Sequence, residues 1–279
     1  RMYSSLAPLA KLPPISFMFN GFEGLTQRLA TPEFEGIAKA ISKAGTEARE
    51  FRELVGNSVK EMAELGFPPN EESGMTGIGT APFDRFSSAV RGMTGSMIDM
   101  YRNPDKLIRA CNLILDTWIA RAKPATPENR GKRLSMPLWR GDKSFMSEKQ
   151  FEKFYWPGLK RAFQANIDLG YVPLPHFEAP FGNRLDRLLE LPKGSIVASI
   201  EDVDVPRCRE VLKGHTCLLA RGLASLKLAS LNEVEAYYKN MFDKYGEGGG
   251  LMMTIRLPDE GSMEDIKKMM TSIRKYCTY

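Results

Sequence analysis

Residues 171–178 read YVPLPHFE, an apolar run that ends in an imidazole and a carboxylate, His176 and Glu178, two residues apart. Side chains at i and i+2 of a strand project from one face. If the run is a strand, these two stand together while Phe177 points the other way. Such a pair can hold a metal ion, or work as a general acid–base with the carboxylate orienting the imidazole. A strand-end histidine bonded to a neighbour for purely structural reasons leaves the same signature. The only other histidine, His215, lies in GHTC just ahead of another apolar run. That puts it at the opposite end of a strand, where a structural role is the expectation.

Four more runs have the same form: MPLWR (136–140), SIVASIE (195–201), TCLLAR (216–221) and LMMTIR (251–256). Together the five run ends deliver Arg140 and Asp142, His176 and Glu178, Glu201 and Asp202, Arg221, and Arg256. Helical patterns lie between them. SEKQ (147–150) is a capping box, Asn232 and Ser262 are expected to open helices, and Asp204 to Leu212 reads as a short helix closed by Lys213-Gly214. Strands alternating with helices imply βαβ units and a parallel sheet. No GxGxxG turn follows any strand, and GEGGG (246–250) precedes one, so it reads as a tight turn. The expected fold is α/β, a (β/α)8 barrel with extra helices in its first third. Residues 33–65 read as one or two helices, 66–80 as a Gly/Pro/Ser-rich connection, and 83–121 as mostly helical.

In such a barrel the active site lies at the C-terminal ends of the strands. The expected catalytic set is therefore His176, Glu178, Arg221 and Arg256. A metal ion would be held by His176, Glu178 and a third ligand from another strand end, Glu201 or Asp202.

The chain has 279 residues, 43% of them hydrophobic, enough for a single barrel domain over 1–279, with 1–80 a divergent lead-in and 81–279 the barrel body. No apolar run is long enough to span a membrane. A formal charge of +5 without a basic block argues against a nucleic-acid partner. The four cysteines form no CxxC pair, which fits reduced thiols in a cytoplasmic protein. The opening RMYSSLAPLAKLPP reads like the middle of a protein, so the barrel is expected to be N-terminally truncated.

Several segments in order resemble the uroporphyrinogen decarboxylase superfamily, which also contains cobalamin-dependent methyltransferases. They are TAPFDRFSSAVRG (80–92) with MIDMYRNPDKL (97–107), SFMSEKQFEKFYWPGLKRA (144–162), HFEAPFGNRLDRLLELPKG (176–194) and EVEAYYKNMFDKYGEGGGLMM (233–253). The resemblance covers nearly all of 80–275 and implies the same barrel, with about the first quarter of the family's length absent. It implies a small-molecule or tetrapyrrole substrate; the expected substrate-binding residues are Arg140 and Asp202 at the strand ends, with Asp84. True decarboxylases of the family need no cofactor and carry a tyrosine after the GAPFT-type segment and a histidine after the last strand. Here Ser88 and RLPDEG (256–261) stand in those places. The zinc methyltransferases use His-x-Cys on one strand and a further Cys after the last. Here His176 matches, Glu178 replaces the first cysteine, and the second is replaced near Leu257. The resemblance is nearer the methyltransferase-like branch, which implies corrinoid-linked methyl transfer with the corrinoid carried by a partner protein. Uroporphyrinogen III decarboxylation is the alternative enzyme, and a non-catalytic barrel binding a tetrapyrrole or a corrinoid protein is the alternative of another class.

Overall fold

A computed structural model of the chain describes residues 32–65, 71–72, 77–127, 130–256 and 262–276. The opening RMYSSLAPLAKLPP, the 257–261 stretch and Cys277 lie outside them. Backbone contacts divide the chain into two compact units, Arg1–Pro69 and Asn70–Tyr279. In the first, 33–65 forms one helix, α1 (Pro32–Glu64).

The second unit is built on six parallel strands in strict sequence order: β1 (Glu71–Glu72), β2 (Arg133–Leu138), β3 (Val172–Phe177), β4 (Val197–Glu201), β5 (Cys217–Arg221) and β6 (Leu251–Thr254). Crossovers between parallel strands are right-handed in nearly every protein. An order that never reverses therefore lays each crossover on the same face of the sheet, which is compatible with part of an α/β barrel. The burial pattern agrees. Met136, Leu138, Phe177, Ile200 and Leu218 are buried in one core with Phe83, Leu159, Phe163, Leu212 and Met241 from the surrounding helices. The register places Ser135, His176, Ser199, Glu201 and Arg221 on the opposite face.

Two elements differ from the sequence expectation. β2 starts three residues before the MPLWR run, because Arg133, Leu134 and Ser135 pair with Val172, Pro173 and Leu174. Arg140 thus lies two residues beyond the strand. β1 falls in what reads as a connection; its two residues carry no apolar pattern and become a strand only by pairing with Arg133 and Leu134.

β3 has two prolines in a central strand, where a missing N–H normally breaks a ladder. The even-numbered residues of β3 face β2: Val172 N–H donates to Lys132 O (3.1 Å) and Glu178 N–H to Leu138 O (3.0 Å). In a parallel strand the odd-numbered ones then face β4, and two of these are Pro173 and Pro175. The β2–β3 ladder accordingly runs over six residue pairs, whereas β3 and β4 share one, His176 with Ser199.

The helices follow their caps. After α2 (Pro82–Arg85), which continues into a π turn at Phe86–Val90, come α3 (Met93–Arg102) and α4 (Pro104–Arg121). Ser147 and Gln150 form the expected capping box of α5 (Glu148–Gln150). A π turn, Phe151–Tyr155, then joins α5 to α6 (Trp156–Asp168), with Trp156 N–H reaching back to Phe151 O. Pro157 explains it: a residue without an N–H cannot continue an α ladder, and a wider turn absorbs the defect. α7 (Val205–Leu212) ends as expected before Gly214, whose φ is 76°. α8 (Leu231–Tyr245) is capped not by Asn232 but by Ser230, which forms a capping box with Glu233. Ser262 precedes α9 (Met263–Tyr276) and accepts from Asp265 N–H at 3.2 Å.

The loop after β2 is clamped. Arg184, only 3% exposed, donates to the carbonyls of Gly141 and Met146 at 2.7 Å each and to Glu148 at 3.1 Å, and its guanidinium covers the Phe151 ring. A Cβ on Gly141 would stand 2.5 Å from the Tyr155 ring and 2.7 Å from that of Phe181. Gly141→Ala is therefore expected to destabilise the protein by about 1–3 kcal/mol, the usual cost of overpacking. Urea unfolding followed by tryptophan fluorescence measures it, and an unchanged midpoint would show that the loop has room to move.

Candidate functional site

The C-terminal ends of β2 to β5 gather the polar side chains. His176, half-buried, places Nε2 3.0 Å from Ser135 Oγ on β2 and pairs in register with Ser199 on β4. One level further along the same face, Glu201 and Arg221 are register partners and form an ion pair of 2.7 Å. The same Arg221 nitrogen, Nη2, also donates to the Phe177 carbonyl of β3. Arg221 therefore reaches across β4 and fastens β3, where the prolines leave the ladder thin. Glu178 follows β3 and is exposed.

Two further expected residues are held by aromatic hydroxyls. Arg256 donates from its backbone N–H to Tyr238 Oη at 2.7 Å and from Nε to Gly222 O at 2.5 Å. Asp202 Oδ2 accepts from the Tyr237 hydroxyl at 3.2 Å. Burial first, and then the Asp202 charge, push the Tyr237 hydroxyl above its ordinary value, so it stays a donor.

Asp84, expected among the substrate-binding residues, is engaged within the protein. It is fully buried, and its oxygens accept from the Tyr155 hydroxyl (2.7 Å) and the backbone N–H groups of Trp139 (3.2 Å) and Arg140 (3.1 Å). A carboxyl group enclosed this way positions the strand-end loop. Burial pushes it up to about 7 from an ordinary 3.8, although the Tyr155 and backbone hydrogen bonds pull the other way.

The expected zinc set is not assembled among the described residues either. Among the described residues no group of three or more His, Cys, Asp and Glu side chains is placed to share a metal ion, so His176, Glu178 and Glu201 do not form one. Glu201 is turned to Arg221 instead. Nor is a buried cysteine available as a nucleophile: burial pushes the Cys111 and Cys208 thiols up to about 12.

The most informative atoms are those left over. Among the described residues, four buried side-chain polar atoms have no hydrogen-bond partner: Arg140 Nε, Asp142 Oδ2, Ser199 Oγ and Arg221 Nε. All belong to the strand-end region, in the loop after β2, within β4 and at the end of β5. Leaving such a group unpaired costs about 1–3 kcal/mol, so each is a point where another molecule can supply a partner. Arg140 lies over the Phe145 ring at 4.7 Å, and Asp142 uses its other oxygen on Ser144. Ser199 was absent from the expected site, although its place two residues before Glu201 puts it on the same face. Tyr155 was hidden among the aromatic residues of its helix.

A cavity of about 670 Å³ lies elsewhere, before β6, lined by Phe242, Asp243, Gly246–Gly250 and Tyr276. Asp243 is already paired with Lys239 there, so the cavity has less catalytic equipment than the strand ends. No protein-family model matches the chain, and no curated protein does.

Asp84 makes stability depend on pH in a definite direction. In the unfolded chain it ionises near 3.8 and in the folded one near 7, so between those values the folded state holds the extra proton. Its contribution is complete below about pH 4 and is lost as the pH rises to 7, on the order of 4 kcal/mol in all. Denaturation at a series of pH values is expected to show that fall, and Asp84→Asn to abolish the slope whatever its absolute stability. Tyr155→Phe removes a bond that lowers the Asp84 value, so the fall is expected to extend to higher pH.

Proposed function

We propose that the chain is part of a (β/α)8-barrel enzyme of the uroporphyrinogen decarboxylase superfamily, acting on a small carboxylate-bearing molecule at the C-terminal ends of its strands by corrinoid-linked methyl transfer. The sequential parallel order of the six strands supports the barrel. The observation that carries the site is the set of orphaned buried atoms on Arg140, Asp142, Ser199 and Arg221. Two of them are guanidinium N–H donors, which suit a carboxylate. The branch and its chemistry rest on the resemblance of the TAPFD, SEKQ, HFEAPFG and GEGGG segments.

On this reading Arg221, braced by Glu201 and the Phe177 carbonyl, and Arg140, braced by the Phe145 ring, hold the substrate's carboxylate. His176 moves a proton at the reacting group, with its imidazole held by Ser135 and next to the Ser199 hydroxyl. The described donors do not gather the three protein ligands that zinc usually has, which supports His176 as an acid–base. A corrinoid carried by a partner protein would supply or accept the methyl group. The second reading, decarboxylation of a porphyrinogen, draws on the three strand-end arginines, which suit a substrate with several carboxylates.

The readings separate in one set of assays. The protein is mixed with methylcobalamin and a panel of thiols, and separately with uroporphyrinogen III. Loss of the alkyl-cobalt absorbance, abolished by His176→Ala, is the expected result. Release of carbon dioxide from the porphyrinogen would favour the second reading. Tetrapyrrole binding without turnover of either would make the barrel a binding module. In each catalytic case Arg221→Ala is expected to weaken substrate binding about tenfold or more, as loss of a charge-assisted hydrogen bond does.

A further inference from the structure

Helix α1 has 33 residues, and its second half, with Leu65 just beyond it, exposes an unusual amount of apolar surface: Phe51 is 65% exposed, Leu54 63%, Met62 53% and Leu65 71%. Nothing in the proposed chemistry uses it. Counting from Phe34 in alternate steps of three and four residues leads to Leu65 and meets one polar residue on the way, Ser58. That is a heptad repeat sustained for more than four heptads, with Phe34 at an a position and Leu65 at a d position. A straight α-helix drifts by about 20° per heptad from such a repeat. On a flat sheet or a membrane surface the stripe would therefore turn away from its support. A second helix that supercoils with it keeps the whole stripe covered.

The flanking positions identify the second helix. In a parallel pair each g residue meets the e residue five positions further along the partner. Here g and e pair Ala40 with Gly45, Glu47 with Arg52, and Leu54 with Val59. Small meets small, acid meets base, and apolar meets apolar. In an antiparallel pair aligned over the same stripe, Glu47 would meet Leu54 and Gly45 would meet Arg52, matching polar with apolar. Leu54 and Val59 are both exposed in the single chain, outside the a/d seam, and only the parallel arrangement gives each an apolar neighbour. We propose that α1 pairs with α1 of a second copy of this chain as a parallel, in-register, two-stranded coiled coil.

Sedimentation equilibrium of the whole chain tests the association. A reversible dimer is expected, and Val55→Asp, a charge at an a position, should weaken its dissociation constant at least about a hundredfold. Far-ultraviolet circular dichroism and the unfolding midpoint of the remainder should stay as in the parent. Ser58→Cys tests the orientation, because in a parallel in-register pair each d residue faces its own copy, within reach of a disulfide. Mild oxidation should convert Ser58→Cys, and not the parent, into a covalent dimer. A chain that stays monomeric overturns the proposal. If Val55→Asp then also unfolds it, the stripe is covered within the chain; if the monomer binds lipid vesicles, its partner is a membrane. A dimer in which Ser58→Cys does not cross-link overturns the parallel pairing.

Discussion

The strand-end region depends on a carboxyl group that never meets water. Asp84, on α2, collects the hydroxyl of Tyr155 and the backbone N–H groups of Trp139 and Arg140, the first two residues after β2. Three donors converge on two oxygens, and each donor would otherwise be a buried polar group without a partner. The loop can therefore leave β2 in one direction only. Arg184 completes the clamp from the other side through the Gly141 and Met146 carbonyls, and the ring of Tyr155 fills the space that a side chain on Gly141 would need. Arg140 and Asp142 inherit their positions from this arrangement. Their unpaired atoms are presented by a loop held from both sides.

A second constraint comes from two prolines. Pro173 and Pro175 take away N–H groups that β3 would offer to β4, and the ladder between these strands shrinks to one residue pair. Arg221 bridges the gap from β5, donating to Phe177 O and Glu201. The side chain proposed to hold the substrate's carboxylate thus also fastens the sheet. His176 and Ser199 sit at the one point where β3 and β4 still pair.

Much of this was legible in the residues. Apolar runs of four to six residues marked β3, β4, β5 and β6, and the rule that polar strand ends share a rim brought together His176, Glu201 and Arg221. The Ser147–Gln150 box and the Gly214 stop were local signals and appear where they were expected. What failed was of two kinds. Strand boundaries set by pairing, such as the polar start of β2 and the whole of β1, leave no periodic trace. Long-range partners leave none either: nothing near Asp84 in the chain indicates that Tyr155, 71 residues away, will take its oxygen.

Sequence by itself determined the alternation of strands and helices, the helix caps, the heptad spacing of α1 and the absence of a glycine-rich phosphate turn. Each depends on residues within a few positions of one another, where backbone geometry fixes which side chains are neighbours. Tertiary structure decided that Asp84 is a buried brace, that Glu201 belongs to Arg221 and not to a metal set with His176, and which polar atoms remain unpaired. Those outcomes depend on burial and on donors from distant segments. The balance between desolvation and hydrogen bonding exists only once the chain has closed around the group.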